Sequence, residues 1–335
     1  GAAAGAGAGA GDRDGDGRRG AMMRMVALRL LLTLPILLGV SIVAFVLMRA
    51  LPGDFAQASA GTTTISPEAL DQLRRNLGLD RPVWEQYLAW LARALSGDLG
   101  TSFATKRPVL GELVPRFMVT AELTLVAGAM ALALGGATGL ASARLRGRVE
   151  WIVRGWNSLL LAVPNFVVAT LVVLLFGLYF PTIGIFNYVP FATDPLGNLA
   201  SMVLPGISLA LTVSVTISEN TRAAILEVAS QDYVMVARAK GLSRGTILRD
   251  YLGRNALTPV ITVAGLQLAA LLGGSILIET IFTIPGMGQY LFDSVTTRDY
   301  PAIQGIVLVA ATVVLLVNVA VDIAYARVDA RVSYD

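Results

Sequence analysis

The sequence predicts an all-α membrane protein with six transmembrane helices and with its N- and C-termini on the cytoplasmic side. Three observations carry that expectation. Mean hydropathy is +0.67 and 55% of the 335 residues are hydrophobic, yet the apolar residues gather in long blocks instead of recurring at the period of a soluble helix or strand. The blocks run to roughly 20 residues, the length a helix needs to cross about 30 Å of hydrocarbon. Lys and Arg are distributed unequally between alternate connecting segments, as the positive-inside rule requires.

In chain order, the first 21 residues are Gly/Ala/Asp/Arg low-complexity sequence without an apolar period, expected to be disordered. Met22, Met23 or Met25 each offers an alternative start, in which case Gly1–Ala21 is not native. The first block, Val26–Met48 within 22–49, is too long for a cleaved signal peptide, lacks the small-residue exit of one, and is read as a retained helix. The further spans are Val119–Ala141, Leu159–Phe180, a more polar Leu199–Ser218, Leu257–Ile278 and Ile303–Ala324. An N-in orientation puts Arg144, Arg146, Arg148, Arg154, Arg222 and the tail residues Arg327 and Arg331 on the cytoplasmic side. The opposite segments, Pro181–Asn198 and Glu279–Ala302, then hold Arg298 alone.

Residues 50–116 balance acidic and basic side chains and read as a small helical subdomain on the extracytoplasmic side, ahead of a five-helix core at 117–335. Ser66-Pro67-Glu68 is an N-cap followed by Pro at the first helical position, Leu70, Leu73 and Leu77 share a face, and Gly78 closes the helix. A second helix starts after Pro82, carries Trp84, Tyr87, Leu88, Leu91 and Leu95, and stops at Gly97. Packing on the bundle rim and a docking surface are both open for this pair.

The cytoplasmic segment 219–256 is neither apolar enough to span nor polar enough for a plain loop. Its stretch VARAKGLSRGTILRDYLGRNALTPV holds five Lys or Arg residues against one Asp. Tyr233, Val236 and Ala237 share one helical face, Gly241 stands where a left-handed C-cap belongs, Ser243 can cap the next helix, and Ile247, Leu248, Tyr251 and Leu252 form a second apolar face. The residues thus describe helix, Gly turn, helix. Snorkelling of Arg into lipid headgroups and docking on a partner protein both remain open, with an enzyme site a distant third.

The segment DYVMVARAKGLSRGTILRDYLGRNALTPV resembles the EAA loop of ABC importer permeases, in the form typical of the dipeptide/oligopeptide/nickel transporter family. The resemblance extends through LPGD at Leu51–Asp54, LGLDRPVWEQYLAWL at Leu77–Leu91, GDLGTSF at Gly97–Phe103, GLQLAALLGGSILIETIFTIPGMGQYLFDSVTTRDYP at Gly265–Pro301 and NVAVDIAYARVDAR near the end. The motif order is similar to that of the first, B-type, permease of such systems. It implies the type I ABC importer permease fold in a bacterial inner membrane. The implied partners are a second homologous permease, two ATPase subunits that bind the ATP and Mg, and an extracytoplasmic solute-binding protein. The ATPase-coupling role falls on Tyr233, Val236, Ala237, Arg238, Ala239, Lys240, Gly241 and Leu242. Met235 stands where the wider superfamily often has Glu. Glu219-Asn220-Thr221-Arg222 departs from the family's usual Arg at its first position.

The sequence has neither Cys nor His, which removes thiolate nucleophiles, imidazole bases and the usual zinc ligands. It also lacks the Gly-x4-Gly-Lys-Ser/Thr phosphate loop, so no cofactor, ATP included, is expected on this chain. An intramembrane hydrolase or transferase, the rival class, has no visible catalytic set. The net charge of +3 fits cytoplasmic Lys and Arg, and no nucleic-acid partner is expected. Polar residues inside spans mark candidates for the translocation path: Asn165, Thr212, Ser214, Thr216, Ser218 and Gln267. Glu219 and Arg222, spaced i, i+3, read either as a solvated helix end or as a pair that gates the inner mouth. Asn318 and Asp322 are expected to join helices, while Gly135, Gly136, Gly139, Gly273 and Gly274 are expected at close helix crossings. The resemblance implies peptide cargo, with a nickel chelate, glutathione or haem as alternatives.

Overall fold

The computed structural model describes residues 10–50, 56, 66–76, 78–145, 147–180 and 184–328. Part of the Gly1–Ala21 segment, the LPGD motif at Leu51–Asp54, Leu77 and Arg331 lie outside the described residues. Twelve helices are used below to describe the architecture: α1 Ala10–Ala50, α2 Pro67–Asn76, α3 Val83–Leu95, α4 Val109–Arg144, α5 Arg148–Ala162, α6 Asn165–Tyr179, α7 Pro195–Ala229, α8 Asp232–Ala239, α9 Arg244–Thr246, α10 Arg254–Ile281, α11 Met287–Thr297 and α12 Tyr300–Val328. A π-helical segment, Ile247–Gly253, joins α9 to α10. Five of these helices are long and apolar enough to cross a membrane, or six spans if the bent pair α5–α6 counts as one.

The centre of the bundle is the pair α4–α7. Its close approach follows from two glycines one turn apart. A Cβ on Gly135 would stand 2.5 Å from the carbonyl oxygen of Ser214, and one on Gly139 would stand 2.5 Å from that of Ser218. Gly136 and Gly273 have nothing within 4 Å of such a Cβ and make no crossing, contrary to expectation; Gly274 approaches only the Asn165 amide. The main core gathers Leu123 and Ala127 of α4, Ala169 of α6, Met202 and Leu209 of α7, and Leu271, Ile278 and Phe282 at α10. Half of the apolar window of α7 is buried, against 11% for α1 and α12, so α1 and α12 form the rim of the chain.

Four sequence expectations require correction. Helix α1 begins at Ala10, inside the segment expected to be disordered, because extending an existing helix backwards requires no new nucleation. The span expected over Leu159–Phe180 is broken: α5 and α6 meet at 102°, with Val163 extended ahead of Pro164, the backbone a residue before proline adopts. Helix α4 starts at Val109, so its first turns belong to the stretch assigned to the 50–116 subdomain. Helix α7 continues to Ala229, turning the first part of the 219–256 loop into a rigid extension of the span.

At the α10–α11 end a buried polar knot replaces a loop. Glu279 is fully buried and accepts from the Thr120 hydroxyl at 2.8 Å and from the Gly288 and Gln289 N–H groups at 2.7 and 3.3 Å. Thr120 in turn accepts from the Met287 N–H at 2.8 Å. Close by, buried Asp299 accepts from the Ser102 hydroxyl and from the N–H groups of Phe103 and Ala104 at 3.0 and 3.2 Å, which ties the GDLGTSF segment to the start of α12.

Candidate functional site

At the opposite end of the bundle, α8 folds back against the extension of α7. Val234 and Ala237 are buried, three residues apart, on Ala224 and Ile225 of α7 and on Ile247, Leu252 and Ala256 beyond the turn. Of the apolar face read from sequence, Ala237 is buried, whereas Tyr233 and Val236 are exposed at 43% and 52%, as is Met235. Helical period admits both faces because Ala237 belongs to either; the position of α7 decides between them. The outward surface of the hairpin is therefore Tyr233, Met235 and Val236, with Arg238, Ala239, Lys240, Gly241 and Leu242 also exposed.

The turn is a Schellman cap. Gly241 has φ of 76°, its N–H bonds to the Arg238 carbonyl at 3.0 Å, and the Leu242 N–H reaches back to the Ala237 carbonyl at 3.3 Å. Ser243 then accepts from the Thr246 N–H at 3.1 Å and opens the second arm. That arm is π-helical instead of α-helical, and the two buried side chains it supplies, Ile247 and Leu252, are five residues apart, the span of a π-type hydrogen bond. Tyr233 stacks on Tyr251 and accepts from the Asn255 amide at 3.3 Å, so the two arms are held across the turn. On the exposed arm, the hydrogen bond from Arg249 holds the Asp250 carboxyl below its ordinary pKa.

The Glu219–Arg222 pair that the i, i+3 spacing allows does not form. Glu219 accepts from the Asn157 amide at 2.8 Å, and Arg222 bonds Glu150, so each side chain reaches α5 in place of its neighbour on α7. Helix α5 passes this face of α7 and offers an amide to the acid and an acid to the base. Both α5 residues were missed from sequence because they precede the apolar block that begins at Leu159, where no helix was expected.

The path candidates separate into two groups. Ser214 and Ser218 are buried at the α4 crossing, where their carbonyls approach Gly135 and Gly139. Thr212 and Thr216 lie one turn apart on another side of α7; the Thr212 hydroxyl is buried with no partner among the described residues. Half-buried Asn165 opens α6 and faces Gly274 of α10, where half-buried Gln267 also lies. Half-buried Asn318 and Asp322 occupy α12, and Asp322 bonds Arg29, tying α12 to α1. Sequence reasoning passed over Glu122, a half-buried acid on α4, although an acid inside an apolar block is itself a signal. Burial of the ring, and after it the Glu122 charge, raise the pKa of Tyr188, in the α6–α7 connection.

Residues 131–334 match the family described as the binding-protein-dependent transport system inner membrane component, and residues 22–124 match the N-terminal part of such membrane components. The chain belongs to this family. It is 37% identical over 337 residues to a dipeptide transport system permease protein of Escherichia coli (strain K12), with 93% of this chain and 99% of that one covered. A protein of Brucella abortus (strain 2308), named for a peptide transport system permease, is 40% identical over 320 residues, covering 94% and 100%. Among solved structures, a methionine ABC transporter in inward-facing conformations aligns with a TM-score of 0.52 at 17% identity, over 66% of this chain and 97% of that one. An amino acid ABC transporter aligns at 0.50 and 15% identity, over 65% and 94%. These last two support the fold alone. Family membership makes the chain a multi-pass membrane component of a transport system, built almost wholly of helix.

Proposed function

We propose that this chain is one of two permease subunits of an ATP-driven importer that carries peptides across a bacterial cytoplasmic membrane. The kinship to peptide and dipeptide permeases supports the cargo. The observation that supports the mechanism is the hairpin at Asp232–Gly253: a capped, cross-braced knob whose buried face packs within the chain, and whose outward face leaves Met235 and Val236 exposed beside a Tyr233 that is braced on Tyr251 yet still exposed.

On this reading the knob seats in an ATPase subunit on the cytoplasmic side. ATP and Mg belong to that subunit, and this chain binds no cofactor and carries out no catalysis. The rigid α7 extension conveys ATPase closure to the α4–α7 crossing, so both sites bias one two-state equilibrium of the bundle. A second homologous permease completes the path, lined on this side by Asn165, Thr212, Thr216 and Gln267, and an extracytoplasmic binding protein delivers the cargo.

The test is uptake of a radiolabelled dipeptide by proteoliposomes holding this chain, its second permease, both ATPases and the binding protein. Uptake that requires ATP and all the partners is expected. Peptide uptake independent of ATP, or an assembled system that moves another solute and no peptide, would overturn the corresponding half of the reading.

A further inference from the structure

Helix α3 carries an apolar stripe that the described residues leave largely uncovered. Trp84, Leu88, Leu91 and Leu95 fall within about 60° of one another on a helical wheel. Trp84, Leu88 and Leu95 are 63%, 54% and 82% exposed. We infer that this stripe rests in the acyl region of the bilayer, making α3 an interfacial helix embedded in the leaflet opposite the α8 hairpin.

Depth carries the inference. The other apolar side of α3 is fastened to α1 within its membrane span, Ala27–Ala50. The Tyr87 hydroxyl bonds the Ser41 hydroxyl at 2.9 Å, and the Tyr87 ring meets Phe45 edge-on at 5.1 Å. Gln86 accepts from Arg49, whose guanidinium lies over the Phe45 ring at 3.7 Å. Ser41 precedes the end of that span by nine residues, roughly 13 Å along a helix. A helix bound there lies beside the span at the border of the hydrocarbon, not above it in water.

Continuity supplies the occupant. Alongside these anchors α1 exposes Ile42, Val43, Val46 and Leu47, side chains that face lipid in a helix at the rim of the bundle. The α3 stripe adds further exposed apolar surface on a helix fastened to the same stretch of α1, and it contains no charge. Ala89 and Arg93 occupy the side opposite the stripe and are exposed. Trp84 is the residue type that settles at a membrane–water boundary. Helix α2 contrasts with this: it has no buried residue and its sequence PEALDQLRRN is mostly polar, which suits water. The inference goes beyond the transport reading. It removes the α3 stripe from any surface offered to the binding protein and leaves α2 on the aqueous side.

Because the sequence has no Cys, single-Cys labels report without background. Spin labels at Leu88→Cys, Leu95→Cys, Ala89→Cys and Arg93→Cys are read in the full chain in phosphatidylcholine/phosphatidylglycerol vesicles, using molecular oxygen and a water-soluble nickel chelate. Oxygen access should exceed chelate access several-fold at positions 88 and 95, with the order reversed at 89 and 93. Equal chelate access at 88 and 89 would place the stripe in water and overturn the inference. Shielding of 88 and 95 from both reagents would mean that protein covers it, with the same result. A Cys-free check reads Trp84 alone after Trp90, Trp151 and Trp156 are changed to Phe: brominated phosphatidylcholine should quench it strongly, and absence of quenching overturns the assignment.

Discussion

The two ends of the bundle handle charge in opposite ways. At the α10–α11 end, Glu279 and Asp299 are 0% and 1% exposed and each is met by donors from its own chain. At the hairpin end, Arg238, Lys240 and Arg249 are exposed beside uncovered Tyr233, Met235 and Val236. One end satisfies its charges within the chain, and the other leaves charged and apolar side chains exposed. A buried carboxylate with several donors fixes backbone segments relative to each other, whereas an exposed knob with a rigid cap can transmit force without contributing much to stability. Stability loss on mutation should therefore rank knot above hairpin, and transport loss per unit of stability should rank in reverse.

The largest effect is expected at the knot. Asp299→Ala leaves the Ser102 hydroxyl and the Phe103 and Ala104 N–H groups without their acceptor in a buried site, a cost of roughly 3–5 kcal/mol. A large drop in the thermal midpoint of the purified chain, partly restored by Asp299→Asn, is the expected signature; an unchanged midpoint would deny that the knot fixes this end. Next, Gly288→Ala would place a Cβ 2.4 Å from the Cα of Ile276 and 2.9 Å from Glu279, an overpacking cost of about 1–3 kcal/mol in the same assay.

The hairpin should respond differently. A Cβ added at Gly241 meets nothing within 4 Å, so the left-handed backbone is the main resistance to Gly241→Val, at about 1–2 kcal/mol. Transport and its coupling to ATP hydrolysis should fall while membrane insertion persists, and wild-type transport by this variant would contradict a rigid turn. Between the ends, Glu150→Gln and Arg222→Gln should show a coupling of about 1 kcal/mol in a double-mutant cycle, since the pair is three-quarters buried; additive losses would mean that the bond is not formed. Met235→Ala should change stability by less than about 0.5 kcal/mol and still lower transport, the smallest structural effect with a functional consequence.

How much of this was legible in sequence depended on whether the deciding force was local. Blocks of apolar residues announce spans because hydrocarbon thickness sets their length, and Ser66, Gly78, Gly97, Gly241 and Ser243 announce helix ends because caps involve only neighbouring residues. The bend at Pro164 was written in the sequence as Val-Pro, but the continuous hydrophobicity of Leu159–Phe180 concealed it. Choices made by tertiary packing were not legible. Whether Val234 or Val236 turns inward depends on where α7 lies, and the partners of Glu219 and Arg222 come from α5, more than sixty residues away. Glu279 read as the start of a loop because nothing near it in sequence reveals Thr120.

The central claim is that the outward face of α8 is the surface through which an ATPase moves the bundle. Single-Cys variants Tyr233→Cys, Val236→Cys and Val234→Cys, cross-linked in the assembled transporter with a short bifunctional reagent, test it most directly. Tyr233→Cys and Val236→Cys should join the ATPase subunit, with yields that change between nucleotide-free and ATP-bound states, while buried Val234→Cys should not react. Cross-links from Val236→Cys to the binding protein, or none from either exposed position in an actively transporting complex, would contradict it.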